Sequence, residues 1–500
     1  MFLLDQLKRY AATDRIALLY QGQAVTYRTL HRQAEAFAAY LLDVFGNCDA
    51  PVLIYGHKEV CIPVYMFGAL KAGHSYIPVD TTFPTERVAQ ILEQASPCLT
   101  VNLTDAALPA AKTLDASALA ELLTKYDGAF DGVDRIDDQH VVYTLFTSGT
   151  TGKPKGVQIT AKNIAAFDEG VAPWFDCNLT DGVFLNEISY SFDVSVCALY
   201  YALSRGMTLY TVDKQTLNDP RALFAALRES EIDFWVSTPS LAEFCIRSEQ
   251  FAEALLPNVK KFVFCGEVLT KKLAQEMLTR FPHAEIVNAY GPTETTVLVT
   301  AIKVDEALCA NVPSIPIGYP FANLQARIAA PDGASLPEGE AGELLILGDC
   351  VSPGYLHRPD LNEKAFFTDR QTGLRGYHTG DLCRMENGLI YYLGRMDGQV
   401  KLNGFRVELE DVESNLLRVE NVARAAVVPV FEDGKAVSLT AFVRLEAADG
   451  LSSLARAKKI KTALASTLPS YMIPRKIVAV EDFPLNTNGK IDKKALSALA

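Results

Sequence analysis

Several signals that assign a chain to a broad class are missing from these 500 residues. The formal net charge is −13, so there is no basic surplus to neutralise the phosphates of a nucleic acid. The longest apolar stretch covers residues 60–70 and contains Pro63, which makes it too short to span a membrane. The first residues place Asp5 ahead of Lys8 and Arg9 and lack the basic-then-apolar order of a signal peptide. We therefore predict neither nucleic-acid binding nor a membrane span.

Cysteine pairs are also missing. The ten cysteines form no C-x-x-C pair, and Cys61, Cys197 and Cys245 lie inside apolar runs. Disulfide frameworks and zinc sites depend on a regular cysteine spacing that this chain does not have. Free thiols in a reducing compartment fit the pattern, so we predict a cytoplasmic protein.

The common signatures of nucleophilic, metal-dependent and nucleotide-binding enzymes are absent as well. There is no G-x-S-x-G, no H-E-x-x-H and no G-x-G-x-x-G, and the seven histidines are isolated. The stretch TSGTTGKPKG has the small residues and lysines of a phosphate-binding loop, but Thr147 stands where a P-loop needs its first glycine and Pro154 follows Lys153. We therefore expect a phosphate loop of another kind, in which Lys153 and Lys155 attract phosphate.

Strand and helix patterns alternate over most of the chain, and such repeated β–α–β units imply an α/β fold of mainly parallel β-sheets covered by helices. Ligands gather at the carboxyl ends of the strands in such sheets. The predicted elements are buried strands over 51–55, 75–80, 182–187, 233–238, 261–266 and 284–291, with a helix over 61–73.

The sequence pattern changes from about residue 310, where short predicted strands at 324–329 and 342–348 are separated by turns rich in Pro and Gly. This pattern predicts an antiparallel portion, a distorted β-barrel. After it comes a compact α+β unit of ordinary domain size. We therefore predict a large N-terminal domain over 1–396 and a small, mobile C-terminal domain over 397–500.

Three further motifs complete a set that suits one reaction. An enzyme that joins a carboxylate to ATP needs no protein nucleophile, because the substrate carboxylate attacks the α-phosphate, but it does need cations and preorganised donors. Glu294 in YGPTE is a candidate Mg²⁺ ligand and Tyr290 a candidate adenine platform, while Asp381 in YHTGD offers a carboxylate to the ribose. Lys490 lies in the turn-rich string PLNTNGKID. Each string alone also reads as a simple turn, but together and in this order the functional interpretation is favoured.

The strings TSGTTGKPKG, NAYGPTE, YHTGD, GRMDGQVKLNGFRVE and PLNTNGKID resemble the motifs of the adenylate-forming superfamily, over essentially the whole chain. That superfamily includes peptide-synthetase adenylation domains, acyl-CoA synthetases and luciferase. Within it, KAGHSYIPVD, SFDVSV, STPSLAEFC and FCGEVL most resemble the ligases that load D-alanine onto a carrier protein.

The resemblance implies roles for individual residues. Lys490 would be the catalytic residue that bridges the substrate carboxylate and the α-phosphate, Glu294 would hold Mg²⁺, and Asp397 would be the hinge about which the C-terminal domain swings. Leu393 and Gly398 depart from the family pattern without threatening the chemistry. The residues implied for ATP binding are Thr147, Ser148, Asn288, Ala289, Tyr290, Gly291, Pro292, Thr293, Asp381, Tyr392, Leu393, Gly394, Arg395 and Lys490.

The resemblance also implies an amino-acid pocket containing Asp193, Cys265, Val297 and Lys490. Asp193 would pair with an α-ammonium group, which disfavours a fatty-acid substrate because an unpaired carboxylate would then be buried. One methyl group supplies only about 1–3 kcal/mol of discrimination, so D-alanine rests on the resemblance, and glycine or L-alanine in a peptide-synthetase pathway remains an alternative. A nucleotide-binding protein without catalysis is a third hypothesis, which the retention of Lys490 and Glu294 argues against.

The partners implied by the resemblance are D-alanine and a D-alanyl carrier protein that is acidic and phosphopantetheinylated, in a pathway that places D-alanine on lipoteichoic acid. No carrier-like segment follows the last motif, so we expect the carrier to act in trans. Residues 398–500 hold 15 basic and 12 acidic side chains, a weak hint that this part meets an acidic partner.

Overall fold

The fold is described from a computed structural model of the chain, over residues 1–46, 48–149, 153–176, 181–402, 404–432, 435–447, 449–484 and 491–499. The chain divides into two compact units. One consists of Met1–Asp80, Ala95–Leu145 and Gly156–Gly394, and the other of Thr81–Gln94, Phe146–Lys155 and Arg395–Ala500. Within the described ranges, no helix is long and apolar enough to cross a membrane.

Several helices begin at residues whose side chains cap the first turn. Helix α2 starts after Thr26, whose side chain accepts from the Thr29 amide, and α6 starts at a reciprocal capping box between Thr160 and Asn163. The α-helices are α1 (Phe2–Tyr10), α2 (Tyr27–Phe45), α3 (Ile62–Ala72), α4 (Thr85–Ala95), α5 (Ala116–Lys125), α6 (Ala161–Phe175), α7 (Lys214–Asn218), α8 (Pro220–Glu229), α9 (Pro239–Ile246), α10 (Lys271–Arg280), α11 (Glu306–Asn311), α12 (Pro359–Ala365), α13 (Leu409–Leu416), α14 (Ser453–Leu464) and α15 (Lys493–Ser497). A π-helical segment covers Cys197–Ala202, and 3₁₀ turns cover Thr293–Thr295 and Ser470–Met472.

The strands vary in length, and several of them are buried at every residue, as expected of strands covered by helices. They are β1 (Ile16–Tyr20), β2 (Gln23–Thr26), β3 (Val52–Gly56), β4 (Tyr76–Asp80), β5 (Leu99–Asn102), β6 (Thr113–Leu114), β7 (Val141–Thr147), β8 (Lys155–Thr160), β9 (Val183–Asn186), β10 (Thr208–Thr211), β11 (Phe234–Ser237), β12 (Lys261–Phe264), β13 (Glu285–Tyr290), β14 (Thr300–Val304), β15 (Tyr319–Pro320), β16 (Gln325–Ala329), β17 (Ala341–Leu347), β18 (Gly354–Tyr355), β19 (Phe366–Thr368), β20 (Arg375–Glu386), β21 (Leu389–Arg395), β22 (Gln399–Leu402), β23 (Phe405–Glu408), β24 (Val422–Glu432), β25 (Lys435–Leu445) and β26 (Lys476–Ala479).

Two large sheets form the body of the first unit. Among the described residues, one sheet has the order β15-β14-β13-β12-β11-β9-β10-β1-β2 and the other the order β18-β8-β7-β4-β3-β5-β6. Strands β10, β9, β11, β12 and β13 pair in parallel, as do β5, β3, β4 and β7. Each of the six strands predicted from an apolar run is present, and the α3 helix ends at Gly73 in a left-handed conformation. The predicted α/β fold is confirmed.

The antiparallel portion of the first unit is a five-stranded sheet of β16, β17, β20 and β19, with β21 paired to β20. The long strand β20 contains the string YHTGD, so the interpretation of that string as a hairpin turn is wrong. Its register against β17 shifts between Glu343 and Leu345, and Gly380 takes a φ of +68° there. Such a bulge bends a strand and re-aims a side chain, and here the next residue is Asp381.

The second unit has its own apolar core. Strands β24, β25 and β26 form a three-stranded sheet, and β22 pairs with β23 as a hairpin. Buried residues of α13, α14 and β25, among them Val412, Leu464 and Leu439, pack together. The first turn of α14 is capped by Ser452, whose side chain accepts from the Ala455 amide.

Candidate nucleotide and amino-acid site

The carboxyl ends of neighbouring parallel strands carry most of the predicted site residues of the first unit. Strand β12 is followed by Cys265, and β13 ends at Tyr290. The Tyr290 hydroxyl donates to a carboxylate oxygen of Asp381, and both side chains are buried. The tyrosine predicted to bind adenine and the carboxylate predicted to bind ribose are therefore hydrogen-bonded to each other. Tyr290 lies at the carboxyl end of its strand, where ligands bind in parallel sheets.

The turn after Tyr290 is tightly constrained. A side chain at Gly291 would collide with the carbonyl oxygen of Val297, so only glycine fits there. Thr296 and Val297 have φ angles of +61° and +73°, an unusual conformation for β-branched residues. The Thr296 hydroxyl donates to the Cys350 carbonyl at 2.7 Å and holds the turn in place. Backbone strain of this kind is concentrated at functional sites.

Asp193 lies in the short segment between β9 and the π-helical segment. Its carboxylate accepts a hydrogen bond from the Thr293 hydroxyl at 2.7 Å. Burial raises the pKa of the nearby Cys197 thiol, and the neighbouring Cys265 and the Asp193 carboxylate raise it further. The Asp193 carboxylate is therefore held by a residue of the YGPTE string and lies within electrostatic range of the buried Cys197 thiol.

Glu294 is fully buried in a 3₁₀ turn, and its carboxylate accepts from the Tyr355 hydroxyl at 2.8 Å. Tyr355 lies in β18, 61 residues further along the chain. Within the described residues, no group of three acidic, His or Cys side chains could hold a metal ion by itself. A single carboxylate is what Mg²⁺ commonly takes from a protein when phosphates supply further oxygens.

Asn288 carries an unsatisfied acceptor. Its side-chain amide donates to the Pro316 carbonyl at 2.7 Å, whereas its Oδ1 atom is buried and has no hydrogen-bond partner among the residues that the structure describes. A buried acceptor without a partner is costly unless a ligand completes it. Ala289 and Val297 are buried close by in sequence, and Pro292 is half-buried.

The predicted phosphate-loop residues belong to the second unit. Thr147 ends β7, and its hydroxyl donates to the Lys155 carbonyl at 3.5 Å. The Ser148 hydroxyl donates to the Arg406 carbonyl at 2.9 Å and accepts from the Glu408 amide at 3.2 Å. The Lys155 ammonium lies 3.6 Å from the Glu408 carboxylate, which also accepts from Gln399. Strand β23 therefore occupies polar groups of the loop. Residues 150–152 fall outside the described ranges.

The predicted hinge and the residues before it form a local cluster. The Arg395 guanidinium pairs with the Asp397 carboxylate, which also accepts from the Gln399 amide at 3.0 Å. Gly394 takes a φ of +138°, and Leu393 exposes 48% of its surface. Tyr392 is half-buried in β21. The predicted catalytic residue, Lys490, lies outside the described residues.

Sequence patterns did not point to three groups that the structure brings against these residues. Tyr355 donates to Glu294, Glu408 meets Lys155, and buried Lys58 bonds to Asn186 in the segment leading to Asp193. Each partner is distant in sequence and lies in no recognised string, apart from Glu408 at the end of GRMDGQVKLNGFRVE. A lysine two residues after the apolar strand β3 was the one local signal available for Lys58.

Comparison with protein families settles the class of the chain. The model described as AMP-binding enzyme matches residues 5–356, and the model described as AMP-binding enzyme C-terminal domain matches residues 411–490. The chain belongs to the AMP-binding enzyme family. This AMP-binding enzyme is 39% identical to a D-alanine–D-alanyl carrier protein ligase of Bacillus cytotoxicus, over 99% of each chain. The recognition of an adenylate-forming enzyme similar to these ligases is thus confirmed.

Solved structures give the same fold for this AMP-binding enzyme. An NRPS protein containing adenylation and PCP domains superposes with a TM-score of 0.85 at 26% identity, over 99% of this chain and 83% of that one. A Vibrio cholerae adenylation domain in complex with glycyl-adenosine-5′-phosphate has a TM-score of 0.82 at 24% identity, over 100% of this chain and 96% of that one, and shows a likeness of fold alone.

Proposed function

We propose that this AMP-binding enzyme activates D-alanine with ATP and transfers it to a carrier protein. The D-alanine carboxylate attacks the α-phosphate of ATP, the bond to the β-phosphate breaks, and pyrophosphate leaves. The thiol of the carrier's phosphopantetheine arm then attacks the acyl carbon of D-alanyl-AMP, and AMP leaves as the thioester forms. The name of the relatives that match 99% of this chain supports this choice of substrate and carrier.

The observation that carries the proposal is the position of Asp193. Its carboxylate is hydrogen-bonded to Thr293 and lies close enough to the buried Cys197 thiol to raise the pKa of that group, which the buried Cys265 also raises. An α-ammonium group would find its counter-charge in Asp193, while a methyl group would find an apolar surface. A substrate without an amine would leave this carboxylate without a charged partner. Val297 lines the same pocket in our proposal.

The nucleotide is assigned to the residues around β13 and β20. The free Oδ1 of Asn288 would accept from the adenine amino group, and the Tyr290 ring would stack on the base. Asp381, which already accepts from Tyr290, would accept from the ribose hydroxyls. The backbone of 289–293 would form the wall of this pocket, with Tyr392, Leu393, Gly394 and Arg395 completing it. Thr147 and Ser148 would begin the loop that holds the β- and γ-phosphates.

Mg²⁺ fits the donor that the site offers. Glu294 provides one interior carboxylate, already oriented by Tyr355, and the phosphates of ATP would supply further oxygens. When bound, the ion neutralises charge on the phosphates while an anionic carboxylate approaches them. Glu294 would hold the ion.

Lys490 is our proposed catalytic residue. Its ammonium group would bridge the substrate carboxylate and the α-phosphate, where negative charge develops in the transition state. We propose domains over 1–396 and 397–500, with Asp397 as the hinge that lets the smaller domain serve the adenylation step and the transfer step in turn. The pairing of Asp397 with Arg395 and with the Gln399 amide makes this link a defined structure.

The biological setting follows from the two substrates. ATP and a phosphopantetheinylated, acidic carrier are available in the cytoplasm, so we place the enzyme there and the carrier in trans. The carrier-bound D-alanine would then be used to modify lipoteichoic acid of the cell envelope.

Amino-acid-dependent exchange of pyrophosphate into ATP tests the proposed activation step. We expect D-alanine to support the fastest exchange among D-alanine, L-alanine, glycine and propionate. Faster exchange with L-alanine or glycine by a wide margin would move the enzyme to a peptide-synthetase pathway. Robust exchange with propionate, which has no amine, would remove the role given to Asp193.

A further inference from the structure

A buried polar cluster lies at the carboxyl ends of β3, β4 and β9, and none of its members has yet been given a role. Lys58 follows β3, Asp80 ends β4, and Asn186 ends β9. Lys58, Asp80 and Asn186 are each almost completely buried. Buried charges are retained only when partners satisfy them, so the contacts of this cluster indicate what it holds in place.

Lys58 contacts the segment that follows β9. Its ammonium group donates to the Asn186 side chain at 2.8 Å and lies 4.1 Å from the centre of the Tyr190 ring. Asn186 in turn donates to the Tyr190 hydroxyl at 2.9 Å and to the Thr211 hydroxyl at 3.0 Å. Burial lowers the pKa of Lys58 and raises that of Glu187, while the attraction between these two groups opposes both shifts. The lysine therefore fixes both ends of a short stretch, 186–190.

Asp80 holds the same segment from β4. Its carboxylate accepts from the Ser189 hydroxyl and from Nδ1 of His57 at 2.7 Å. The Nε2 atom of His57 accepts from the Lys214 amide at 3.0 Å, which leaves Nδ1 as the atom that donates to Asp80. The Ser191 hydroxyl donates to the Pro78 carbonyl at 3.1 Å. Strand β4 thus binds the segment at two alternate residues.

The segment that Lys58 and Asp80 hold leads directly to the proposed amino-acid pocket. Residues 186–191 are tied to β3 and β4, and Asp193 follows two residues later. The segment after β9 is a series of tight turns, in which Phe192 donates its amide to Ser189 and Val196 donates to Asp193. A displacement at 189–191 is therefore passed along a few bonds to the Asp193 carboxylate, and a shift of about 1 Å in a binding group can cost a hundredfold in rate.

We propose that Lys58 and Asp80 are positioning residues that hold the Asp193 segment in register for the substrate ammonium group. The proposal rests on the proposed function, because it takes Asp193 as the group that binds the ammonium. Neither residue touches the substrate. Their effect is on amino-acid affinity through the segment 186–191, while the nucleotide residues on β13 and β20 are left as they are.

The first test is Lys58→Met, which keeps the length of the side chain and removes its charge. In pyrophosphate exchange, we expect the KM for D-alanine to rise about ten- to a hundredfold, while the KM for ATP changes less than about twofold. The matched control is Lys71→Met. Lys71 is equally buried but pairs with Asp134 at 3.1 Å instead of with this cluster, and we expect its replacement to leave both KM values unchanged.

A merely structural role gives a different pattern. Loss of packing at Lys58 would lower the active fraction, and with it kcat, at an unchanged KM for D-alanine, and that result would overturn the proposal. If Lys58→Met does not fold, Ser189→Ala decides the question, since it removes only the hydroxyl bonded to Asp80. We expect Ser189→Ala to raise the D-alanine KM about three- to tenfold, and an unchanged KM would contradict the proposal.

The wild-type chain separates this proposal from the proposed function. If it exchanges pyrophosphate with another amino acid in place of D-alanine, the substrate assignment fails, and the same variants are measured with that amino acid. A rise in its KM in Lys58→Met would support the positioning role even then. If the wild type responds only to acids without an amine, both proposals fail.

Discussion

At the residue scale, the Asp193 carboxylate carries the proposed choice of an amino acid over a simple carboxylic acid. Its negative charge helps to raise the pKa of the buried Cys197 thiol, and Thr293 donates to one of its oxygens at 2.7 Å. A charge-assisted hydrogen bond is about twice as strong as a neutral one. A variant that lacks this single charge should therefore lose affinity for the amino acid and keep its affinity for the nucleotide.

We predict that Asp193→Asn raises the KM for D-alanine by about a hundredfold or more, because an amide supplies no counter-charge to the ammonium group. The KM for ATP should change by less than about threefold. Asp181→Asn is the control, since Asp181 is an exposed acid paired with Arg15. Steady-state pyrophosphate exchange measures both constants. An equal rise in the two KM values would show that Asp193 supports the whole site and does not select the substrate.

His74 offers a test of the fold at the same scale. The ring is buried, its Nδ1 donates to the Ala50 carbonyl at 2.9 Å, and its Nε2 has no partner among the described residues. Burial lowers the pKa of His74 below its usual value, although the bond to Ala50 opposes the shift. In the unfolded chain a histidine titrates near 6.5, so below that pH the unfolded state binds a proton that the folded state does not.

The folded state should therefore lose stability as the pH falls below about 6.5, by up to about 1.4 kcal/mol per pH unit for this one group. We predict that His74→Phe, compared with the wild type, becomes relatively more stable between pH 7.5 and pH 5.5. His283→Phe, at an exposed histidine, is the control. Thermal unfolding midpoints at the two pH values measure the difference, and a constant offset between the variant and the wild type would contradict the account.

Residue-scale prediction from the sequence depends on recognisable strings, and Asp193, Glu294 and Asp381 were selected in this way; their roles in the site stay predictions. The contacts of Glu294 with Tyr355 and of Asn186 with Lys58 could not be predicted, because they span 61 and 128 residues. Contacts of that separation depend on the order of strands in the sheets, and no local pattern encodes it.

At the element scale, buried parallel strands were the most predictable part of the fold. Each has a continuous apolar run bounded by turn residues, as in β3 and β12, and such runs suit strands buried on both faces. Strand β20 was not predictable as a single element. Its Thr379 and Gly380 favour a turn locally, whereas pairing with β17 and a bulge keep the chain extended.

The β22–β23 hairpin gives an element-scale prediction. Its Glu408 carboxylate lies 3.6 Å from the Lys155 ammonium and accepts from Gln399. Glu408→Gln removes the negative charge of this side chain and keeps its shape. The positive charge of Lys155 is then no longer compensated by Glu408 and attracts a phosphate more strongly. We predict a KM for ATP that is about two- to fivefold lower, in the range of a single weak ion pair.

Glu410→Gln is the matched control for that variant, because Glu410 is an exposed acid two residues further along. Exchange assays at about 50 mM and about 300 mM salt should show that the difference in KM between the two variants becomes smaller as salt screens the charges. A higher KM for ATP in Glu408→Gln would mean that the carboxylate helps to order the loop and does not compete with phosphate.

At the scale of the whole molecule, a compact unit joins residues 81–94 and 146–155 with the C-terminal residues from 395. The loop predicted for phosphate and the segment that leads to Lys490 thus share one unit. The proposed chemistry also needs Lys490 at the α-phosphate, so this residue should affect the reaction more than it affects nucleotide binding.

We predict that Lys490→Ala lowers the rate of D-alanyl-AMP formation by about a hundredfold or more, because it removes the cation from the developing charge. ATP affinity, measured by calorimetry, should fall less than about threefold. Lys494→Ala, at an exposed lysine of α15, is the control and should keep full activity. Full activity in Lys490→Ala would remove this step of the mechanism.

Transfer to a carrier tests the central claim most directly. The chain is incubated with ATP, Mg²⁺ and a purified phosphopantetheinylated carrier protein, together with D-alanine, L-alanine or glycine, and the carrier is then analysed by mass spectrometry. We predict an alanyl thioester on the carrier with D-alanine, and little or none with L-alanine or glycine. Loading of L-alanine or glycine in preference to D-alanine, or formation of the adenylate without transfer to any D-alanyl carrier protein, would contradict the account.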